Sequence, residues 1–286
     1  MGEKLSRLLR CVIILIGVGI LVYPSLSEYL SEKNGSRATA SYDDSVSKMQ
    51  QQEIDAELEA ARAYNRALFE EGSGVASIDN TGDVDLADDY WNLLRIDDTG
   101  MMGYIRIPRL HTKIPIYHGT SEAVLQVGVG HMQGTSLPVG GENTHVVLSG
   151  HRGLPTASLF TDLDRMKIGD PFYIKVLNQT LAYQVDQILT VLPDETQPLQ
   201  ITEGQDYVTL VTCTPYGVNS HRLLVRGHRV PYDASVAAKA AVQDPTSWFE
   251  NLPVQVRHML VGIAVIVMVL LLRKLMGWIW RKARGE

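Results

Sequence analysis

The sequence predicts a mainly β domain between Gly103 and Tyr232, built as a barrel or a sandwich and flanked by helices. Short segments rich in β-branched and aromatic residues recur there, and Gly- and Pro-rich connections separate them. A closed barrel would leave no strand edge exposed. The candidate strands are residues 103–108, 113–118, 145–150, 172–177, 181–192, 207–212 and 222–230. Residues 121–140 and 156–168 are predicted to be irregular or short helical connections.

An apolar run lies near the N-terminus of the chain. It covers residues 11–22, and three basic residues precede it. Residues 11–30 are therefore predicted to form a transmembrane anchor, because apolar neighbours extend the run toward the roughly 20 residues that span a bilayer. The alternative is a cleaved signal peptide, since Ala38-Thr39-Ala40 has the form of a cleavage site. That site lies well past the apolar run, which favours the uncleaved anchor.

A second apolar run, residues 259–272, lies near the C-terminus. Five basic residues follow it, and Trp278 and Trp280 are of the kind found at membrane interfaces. Residues 255–280 are predicted to form a transmembrane helix with a cytoplasmic tail at 281–286. A buried core helix is the alternative, which the dense aliphatic composition disfavours.

The distribution of charge predicts the orientation in the membrane. Residues 1–10 carry a net charge of +2 and residues 273–286 a net charge of +4, which leaves −12 on residues 11–272 of a chain of −6. The positive-inside rule then places both termini in the cytoplasm and the portion between them outside, in contact with membrane lipid at its ends. An acidic exterior argues against a nucleic-acid partner.

The segment before the predicted barrel, residues 31–100, has three parts. Residues 31–46 are polar and are predicted to be a linker. Residues 46–71 are predicted to be an amphipathic helix with one apolar stripe, formed by Met49, Ile54, Leu58, Ala61, Tyr64 and Leu68. Residues 72–100 are rich in Asp and Gly and are predicted to be a loop or a loose cover. A calcium loop at Asp79, Asp83 and Asp85 is disfavoured, because the spacing does not fit. Residues 233–254 are a tether toward the membrane.

Cys213 is the only cysteine of the predicted exterior portion. It follows the candidate strand 207–212, and a residue at a strand end is held by the sheet yet open to a cleft. Arg222 begins the next strand after a loop that can bring it beside Cys213. Because a cation stabilises the thiolate, this arrangement predicts a nucleophilic cysteine. A buried structural cysteine is the alternative.

A cysteine nucleophile needs a proton carrier, and histidine is the usual one. His151 ends the candidate strand 145–150, but the chain has eight histidines and their positions alone do not single it out. A zinc site formed by Cys213, His221, His228 and His151 is disfavoured, since no pair has a familiar zinc spacing. No metal and no cofactor are predicted.

Several segments together resemble one known family. TLVTC (209–213) with TPYGVNSHR (214–222), and LSGHRGLP (148–155), resemble the active-site segments of the sortases. GYIRIPRL (103–110), residues 116–145 and LFTDLDRMKIGD (159–170) are similar to sortase sequence as well. The resemblance covers about residues 100–232. It singles out His151 among the eight histidines.

This resemblance implies a closed eight-stranded β-barrel over residues 101–232 and a cysteine transpeptidase activity. Cys213 would be the nucleophile, His151 the acid and base, and Arg222 the oxyanion stabiliser, with Thr212 and Thr214 as oxyanion or substrate contacts. The substrate would be an LPxTG-like sorting signal, and the partner an acceptor amine. The C-terminal apolar run and the segment CTPYGVNSHRLLVRG are similar to those of class C, the pilin-polymerising sortases. A housekeeping sortase that anchors proteins to peptidoglycan and a non-catalytic membrane-tethered scaffold or adhesin are the alternatives.

One departure from class C concerns the lid that usually precedes the barrel. That lid carries an Asp-Pro-aromatic motif, and residues 69–100 contain no Asp-Pro pair. Asp88, Asp89 and Trp91 supply acidic and aromatic groups without the proline and are the candidates for a degenerate lid. A plain acidic linker is the alternative.

Overall fold

The fold is a closed eight-stranded β-barrel, as the family resemblance implies. The computed structural model describes residues 2–72, 78, 89–235, 237, 260, 262 and 263. The strands are β1 (Met101–Ile107), β2 (Thr112–His118), β3 (Val129–His131), β4 (Thr144–Ser149), β5 (Pro171–Val176), β6 (Gln179–Val191), β7 (Asp206–Thr214) and β8 (His221–Val230). The helices are α1 (Gly2–Lys48), α2 (Gln51–Glu71), α3 (Asp89–Asn92) and α4 (Glu122–Leu125).

The order of strands around the barrel is β1-β2-β3-β4-β7-β8-β6-β5, with β5 returning to β1. Two pairs, β2 with β3 and β4 with β7, are parallel, and the other pairs are antiparallel. The parallel β4–β7 pair matters most for the site. Because parallel strands run in the same direction, the residues that follow β4 and those that end β7 lie at the same end of the barrel.

The shortest strand, β3, lies in a region that was predicted from sequence to be irregular or helical. It has only three residues, all buried, and it joins β2 to β4. A Cβ at Gly130 would lie 2.3 Å from the carbonyl oxygen of Gly119, so only glycine allows this close approach of the two backbone segments. Three residues are too few to show the alternation that identifies a strand.

The first helix corrects the prediction of a polar linker over residues 31–46. Helix α1 continues through this stretch to Lys48. Tyr42 is fully buried, and its hydroxyl donates to the carbonyl of Met102 and accepts from the N–H of Leu177, both at 2.8 Å. Val46, one turn later, is also buried. These contacts with the barrel outweigh the weak helix propensity of a polar, glycine-containing segment.

Helix α2 confirms the predicted amphipathic helix. Its stripe residues Ile54, Leu58 and Ala61 are buried in the main core. Asn65 extends this buried face, and its amide forms two hydrogen bonds with the backbone of Leu137, at 2.7 and 3.1 Å. This paired contact fixes the end of α2 against the loop that precedes β4.

The predicted membrane segments are not confirmed. Within the described part of the chain, no helix has the length and apolar content that a bilayer crossing requires. The anchor predicted over residues 11–30 lies in α1, whereas residues 255–280 lie almost wholly outside the described residues. Asp79, Asp83 and Asp85, the disfavoured calcium candidates, also lie outside them. Both spans stay predictions.

Two buried histidines in the barrel wall are held in the neutral form. The Nε2 of His131 lies 2.8 Å from the carbonyl of Ser136, and its Nδ1 lies 2.9 Å from the hydroxyl of Tyr90. In His145 the Nδ1 lies 2.9 Å from the carbonyl of Gln200, and the Nε2 lies 2.7 Å from a threonine hydroxyl. Each ring needs one N–H and one lone pair, and burial lowers the pKa of both to about 4.

These histidines predict a loss of stability in mild acid. Their pKa is lower in the folded than in the unfolded protein, so the unfolded chain takes up protons first as the pH falls below 6.5. Between pH 7 and 5.5 the free energy of unfolding should fall by about 2 kcal/mol for the two together. Urea denaturation at the two pH values measures this. His111→Asn, at an exposed position, should leave the difference unchanged. Equal stability at both pH values would contradict the assignment.

Candidate active site

The predicted nucleophile and the predicted arginine are cross-strand neighbours. Cys213 lies near the end of β7 and Arg222 near the start of β8, and the antiparallel register pairs these two residues. Cβ atoms of directly opposed residues lie about 4.5–5.5 Å apart. Both side chains are half-buried, and the Cys213 thiol is not part of a disulfide. The register therefore brings together the thiol and the guanidinium that the sequence predicts.

The guanidinium of Arg222 is oriented by the loop that joins the two strands. Its Nη1 donates to the carbonyl of Asn219 at 2.9 Å and to the carbonyl of His221 at 2.8 Å. Both acceptors are backbone atoms, one in the turn and one at the start of β8, so the position of the charge depends on the conformation of this part of the chain. A guanidinium held by fixed acceptors is suited to stabilise a developing negative charge.

His151 reaches the same end of the barrel through the parallel pair. Ser149 at the end of β4 pairs with Val211 of β7, and the N–H of Gly150 donates to the carbonyl of Val211 at 3.0 Å. The hydroxyl of Thr212 donates to the carbonyl of Gly150 at 2.7 Å. These two bonds hold the backbone immediately before His151 against the backbone immediately before Cys213.

Gly150 has a packing role in the GHRG segment. A Cβ at this position would lie 2.7 Å from the ring of Phe160, which is fully buried. The N–H of Phe160 in turn donates to the carbonyl of His151 at 3.2 Å. The glycine lets the phenylalanine pack under the chain, and the phenylalanine then fixes the backbone of the histidine.

All three predicted catalytic residues line one cavity of about 240 Å³. This volume is below the range of about 300–1,000 Å³ typical of pockets that enclose a drug-sized ligand. An extended peptide can therefore enter the cavity only in part. Among the described residues, the rest of the lining consists of Ile78, Thr120, Leu125, Ser149, Gly150, Val211 and Thr212.

The two predicted threonines have separate contacts. Thr212 lines the cavity, but its hydroxyl is buried and donates to Gly150, as described above. Thr214 ends β7, and its hydroxyl accepts a hydrogen bond from Nη1 of Arg152 at 3.1 Å. Both hydroxyls thus link the cysteine strand to the histidine loop. Their predicted contacts with an oxyanion or a substrate stay predictions.

Arg152 is a structural link that was not predicted from sequence. Its side chain is only 8% exposed, and besides Thr214 it bonds to the carboxylate of Asp164. The buried cation of Arg152, the residue after His151, therefore contacts Thr214, the residue after Cys213. Its position next to His151 in GHRG was visible, but its partners come from two distant segments that only the fold brings together.

Glu122 was also missed. Its Oε2 lies 3.3 Å from Nε2 of His151, and its carboxylate is largely exposed. The hydrogen bond from Gln126 and the nearby His151 lower the pKa of Glu122. Twenty-nine positions separate the two residues in sequence, and no spacing rule pairs them.

The candidate lid residues lie in different places. Asp88 and the side chain of Asp89 are outside the described residues. Trp91 packs edge-to-face against Tyr90 and is not among the described residues that line the cavity. Ile78, which was not predicted, does line it and is 95% buried. A lid role for Asp88, Asp89 and Trp91 stays a prediction.

The structure separates the members of the alternative zinc site. His228 pairs with Tyr207 at the start of β7, six residues before Cys213. At about 3.3 Å per residue the two sites lie about 20 Å apart. No group of three or more His, Cys, Asp or Glu residues that could hold a metal occurs among the described residues. The four residues therefore do not form one site.

The chain matches a model of the sortase domain over residues 105–230. Among characterised proteins it is 32% identical to sortase A of Streptococcus agalactiae over 117 residues, and 27% identical to sortase A of Bacillus anthracis over 135 residues. These matches cover 40% and 47% of this chain. They span only 47% and 62% of the lengths of the two relatives.

Solved structures are similar over a larger part of the chain. Sortase C1 from Streptococcus agalactiae is 51% identical, with a TM-score of 0.64, and the match covers 69% of this chain and 100% of that one. Sortase C from Streptococcus pneumoniae is 48% identical, with a TM-score of 0.63, and the match covers 69% and 98% of the two chains. Identity at this level over a whole catalytic domain, together with the matched domain model, shows that the chain belongs to the sortase family of cysteine transpeptidases.

Proposed function

We propose that the protein is a class C sortase that cleaves an LPxTG-like sorting signal and joins it to a lysine amine of a pilin subunit. The observation that carries this proposal is the meeting of Cys213, His151 and Arg222 around one cavity. A thiol, a proton carrier and a fixed cation are the groups that acyl transfer through a cysteine requires.

The first half of the reaction forms the acyl-enzyme. The Cys213 thiolate attacks the carbonyl carbon of the threonine in the sorting signal, and the carbonyl oxygen becomes an oxyanion. Arg222 stabilises this charge, with the N–H of Thr214 as a second donor. When the C–N bond to glycine breaks, the leaving amine takes a proton from the His151 imidazolium. The products are a thioester on Cys213, a neutral His151 and the released C-terminal fragment.

The second half transfers the acyl group. The acceptor amine attacks the thioester carbonyl and gives its proton to His151, the C–S bond breaks, and the Cys213 thiolate leaves. An amide to the acceptor forms, and the enzyme returns to its starting charges. No water or cofactor is consumed. If water replaces the amine, the same steps give hydrolysis.

The pilin acceptor is supported by the structural relatives. Streptococcus pneumoniae sortase C has been analysed for its pilin substrate specificity, and another similar structure is sortase C1 of GBS Pilus Island 1. The alternative, attachment of proteins to a peptidoglycan amine, is favoured by the sequence relatives, several of which are sortase A proteins. The acceptor is the feature that separates the two functions.

A competition experiment tests the proposal. The purified protein is incubated with an LPxTG-type peptide and equal concentrations of a lysine-containing pilin peptide and an oligoglycine, and the products are weighed by mass spectrometry. We expect the lysine conjugate to predominate. Predominance of the glycine conjugate would favour wall anchoring, and absence of any cleavage would contradict the transpeptidase itself.

We further propose that the barrel lies outside the cell membrane with both termini in the cytoplasm, based on the charge distribution given above. Protease added to intact protoplasts should then digest the barrel but leave a tag fused to either terminus protected. Digestion of a terminal tag under those conditions would contradict this orientation.

A further inference from the structure

Glu122 contacts His151 at the edge of the cavity. Its Oε2 lies 3.3 Å from Nε2 of His151, while Thr120 and Leu125 on either side of it line the cavity. A carboxylate only accepts hydrogen bonds, so the shared proton is on Nε2. The other ring nitrogen, Nδ1, is then the atom that exchanges protons with the leaving and incoming amines.

The carboxylate is held in place although it is largely exposed. Leu125 is buried and fixes the short helix α4 in the cavity wall. The N–H of Leu125 donates to the carbonyl of Ser121 at 3.0 Å, and the N–H of Gln126 donates to the carbonyl of Glu122 at 3.0 Å. The side-chain amide of Gln126 also donates to Oε1 of Glu122. Each carboxylate oxygen thus has its own partner, one from Gln126 and one from His151.

The charges around the cavity explain what this carboxylate contributes. The active form proposed above has two cations, the His151 imidazolium and Arg222, and one anion, the Cys213 thiolate. A carboxylate in contact with the imidazolium balances part of the positive charge of these two cations. Glu122 supplies the second anion. The other nearby cation, Arg152, is paired with Asp164 and adds no unbalanced charge.

We propose that Glu122 is the positioning residue of His151. It fixes the ring orientation and the tautomer, and it favours the imidazolium that stabilises the thiolate and protonates the leaving amine. A third group that orients the base is a general feature of nucleophilic catalysis. This inference rests on the proposed function for its role in turnover, but the contact itself can be tested without turnover.

The test compares Glu122→Gln with Glu142→Gln in the full-length protein. Glu142 is also exposed, but it precedes β4 whereas His151 follows it, so the control lies about 20 Å from the site at the opposite end of the barrel. Three quantities are measured: kcat and KM for cleavage of an LPxTG-type peptide, and the rate at which iodoacetamide alkylates Cys213 at pH 7. Alkylation is followed on the peptide that contains Cys213, because the chain has a second cysteine, Cys11.

For Glu122→Gln we expect kcat to fall about tenfold with KM for the peptide unchanged, since orientation of an acid–base group is lost and binding is not. Alkylation of Cys213 should slow about threefold, the effect of weakening one exposed charge pair. In Glu122→Ala, which loses the acceptor oxygen as well as the charge, kcat and the alkylation rate should fall at least as far as in Glu122→Gln. Glu142→Gln should match the unmodified protein in both measurements.

Two results would overturn the proposal. The first is that neither kcat nor the rate of Cys213 alkylation changes in Glu122→Gln. The second is a rise only in KM for the peptide, which would make Glu122 part of peptide binding rather than of the orientation of His151. If the unmodified protein cleaves no peptide, the proposed function fails, and alkylation still decides on Glu122: slower alkylation in Glu122→Gln supports the positioning role, and an equal rate overturns it.

Discussion

Replacing Cys213 with alanine is expected to abolish cleavage of an LPxTG-type peptide, with a loss of at least about 10³-fold in kcat/KM. The side chain that forms the covalent intermediate is removed, and neither His151 nor Arg222 can replace it. Cys213 is only half-buried at the end of β7, so the smaller side chain leaves the barrel intact. Release of the C-terminal fragment, followed by a fluorescence-quenched peptide, measures the effect.

The matched control is Cys11→Ala, at the only other cysteine of the chain. It lies in the N-terminal apolar run and should leave kcat/KM unchanged. Cys213→Ser tests the same point more finely, because a hydroxyl is far less acidic than a thiol and should restore little activity. Retention of more than a tenth of the activity by Cys213→Ala would exclude a thioester mechanism.

Replacing Arg222 with alanine is expected to reduce kcat by about 10²–10³-fold, the usual effect of removing one oxyanion donor. The guanidinium is paired with Cys213 across β7 and β8 and is oriented by two carbonyl groups of the connecting loop. Arg222→Lys keeps the charge but loses the planar guanidinium, so its kcat should lie between that of the unmodified protein and that of Arg222→Ala. Steady-state kinetics of peptide cleavage distinguishes the three proteins.

The control for this change is Arg226→Lys, four residues further along β8. Arg226 bonds to Asp186 through two nitrogens, at 3.0 and 3.1 Å, and lies away from the cavity lining. We expect its kcat to stay within about threefold of the unmodified protein, because Arg226 is not among the described residues that line the cavity. An Arg222→Ala protein as active as this control would show that Arg222 only pairs locally with the loop.

The barrel could be predicted from sequence because most of its strands are long enough to show their pattern. β6 and β8, with 13 and 10 residues, carry clusters of buried apolar side chains and end at polar turns. Strand β3 was missed because three residues carry no period. The helical end of α1 was missed because its stability comes from the burial of Tyr42 and Val46 against the barrel, which local propensity does not contain.

The residues of the candidate site also differ in whether local sequence predicts them. Cys213 and Arg222 follow from local sequence, because one short loop and an antiparallel register bring them together. His151 follows β4, a strand that is parallel to β7 but distant from it in the chain, and its choice depended on resemblance to a family rather than on spacing. Glu122 and Arg152 depend on contacts between distant segments, at sequence separations of 29 and 62 residues. No pattern in the sequence specifies such pairs.

The most direct test of the central claim is to trap the acyl-enzyme. The protein is mixed with an LPxTG-type peptide without an acceptor amine, quenched in acid and digested, and the fragments are weighed. The mechanism predicts that the fragment containing Cys213 gains the mass of the peptide up to its threonine, and that a lysine peptide added before the quench removes this gain. Turnover of the peptide with no adduct on Cys213, or with an adduct on another residue, would contradict the mechanism.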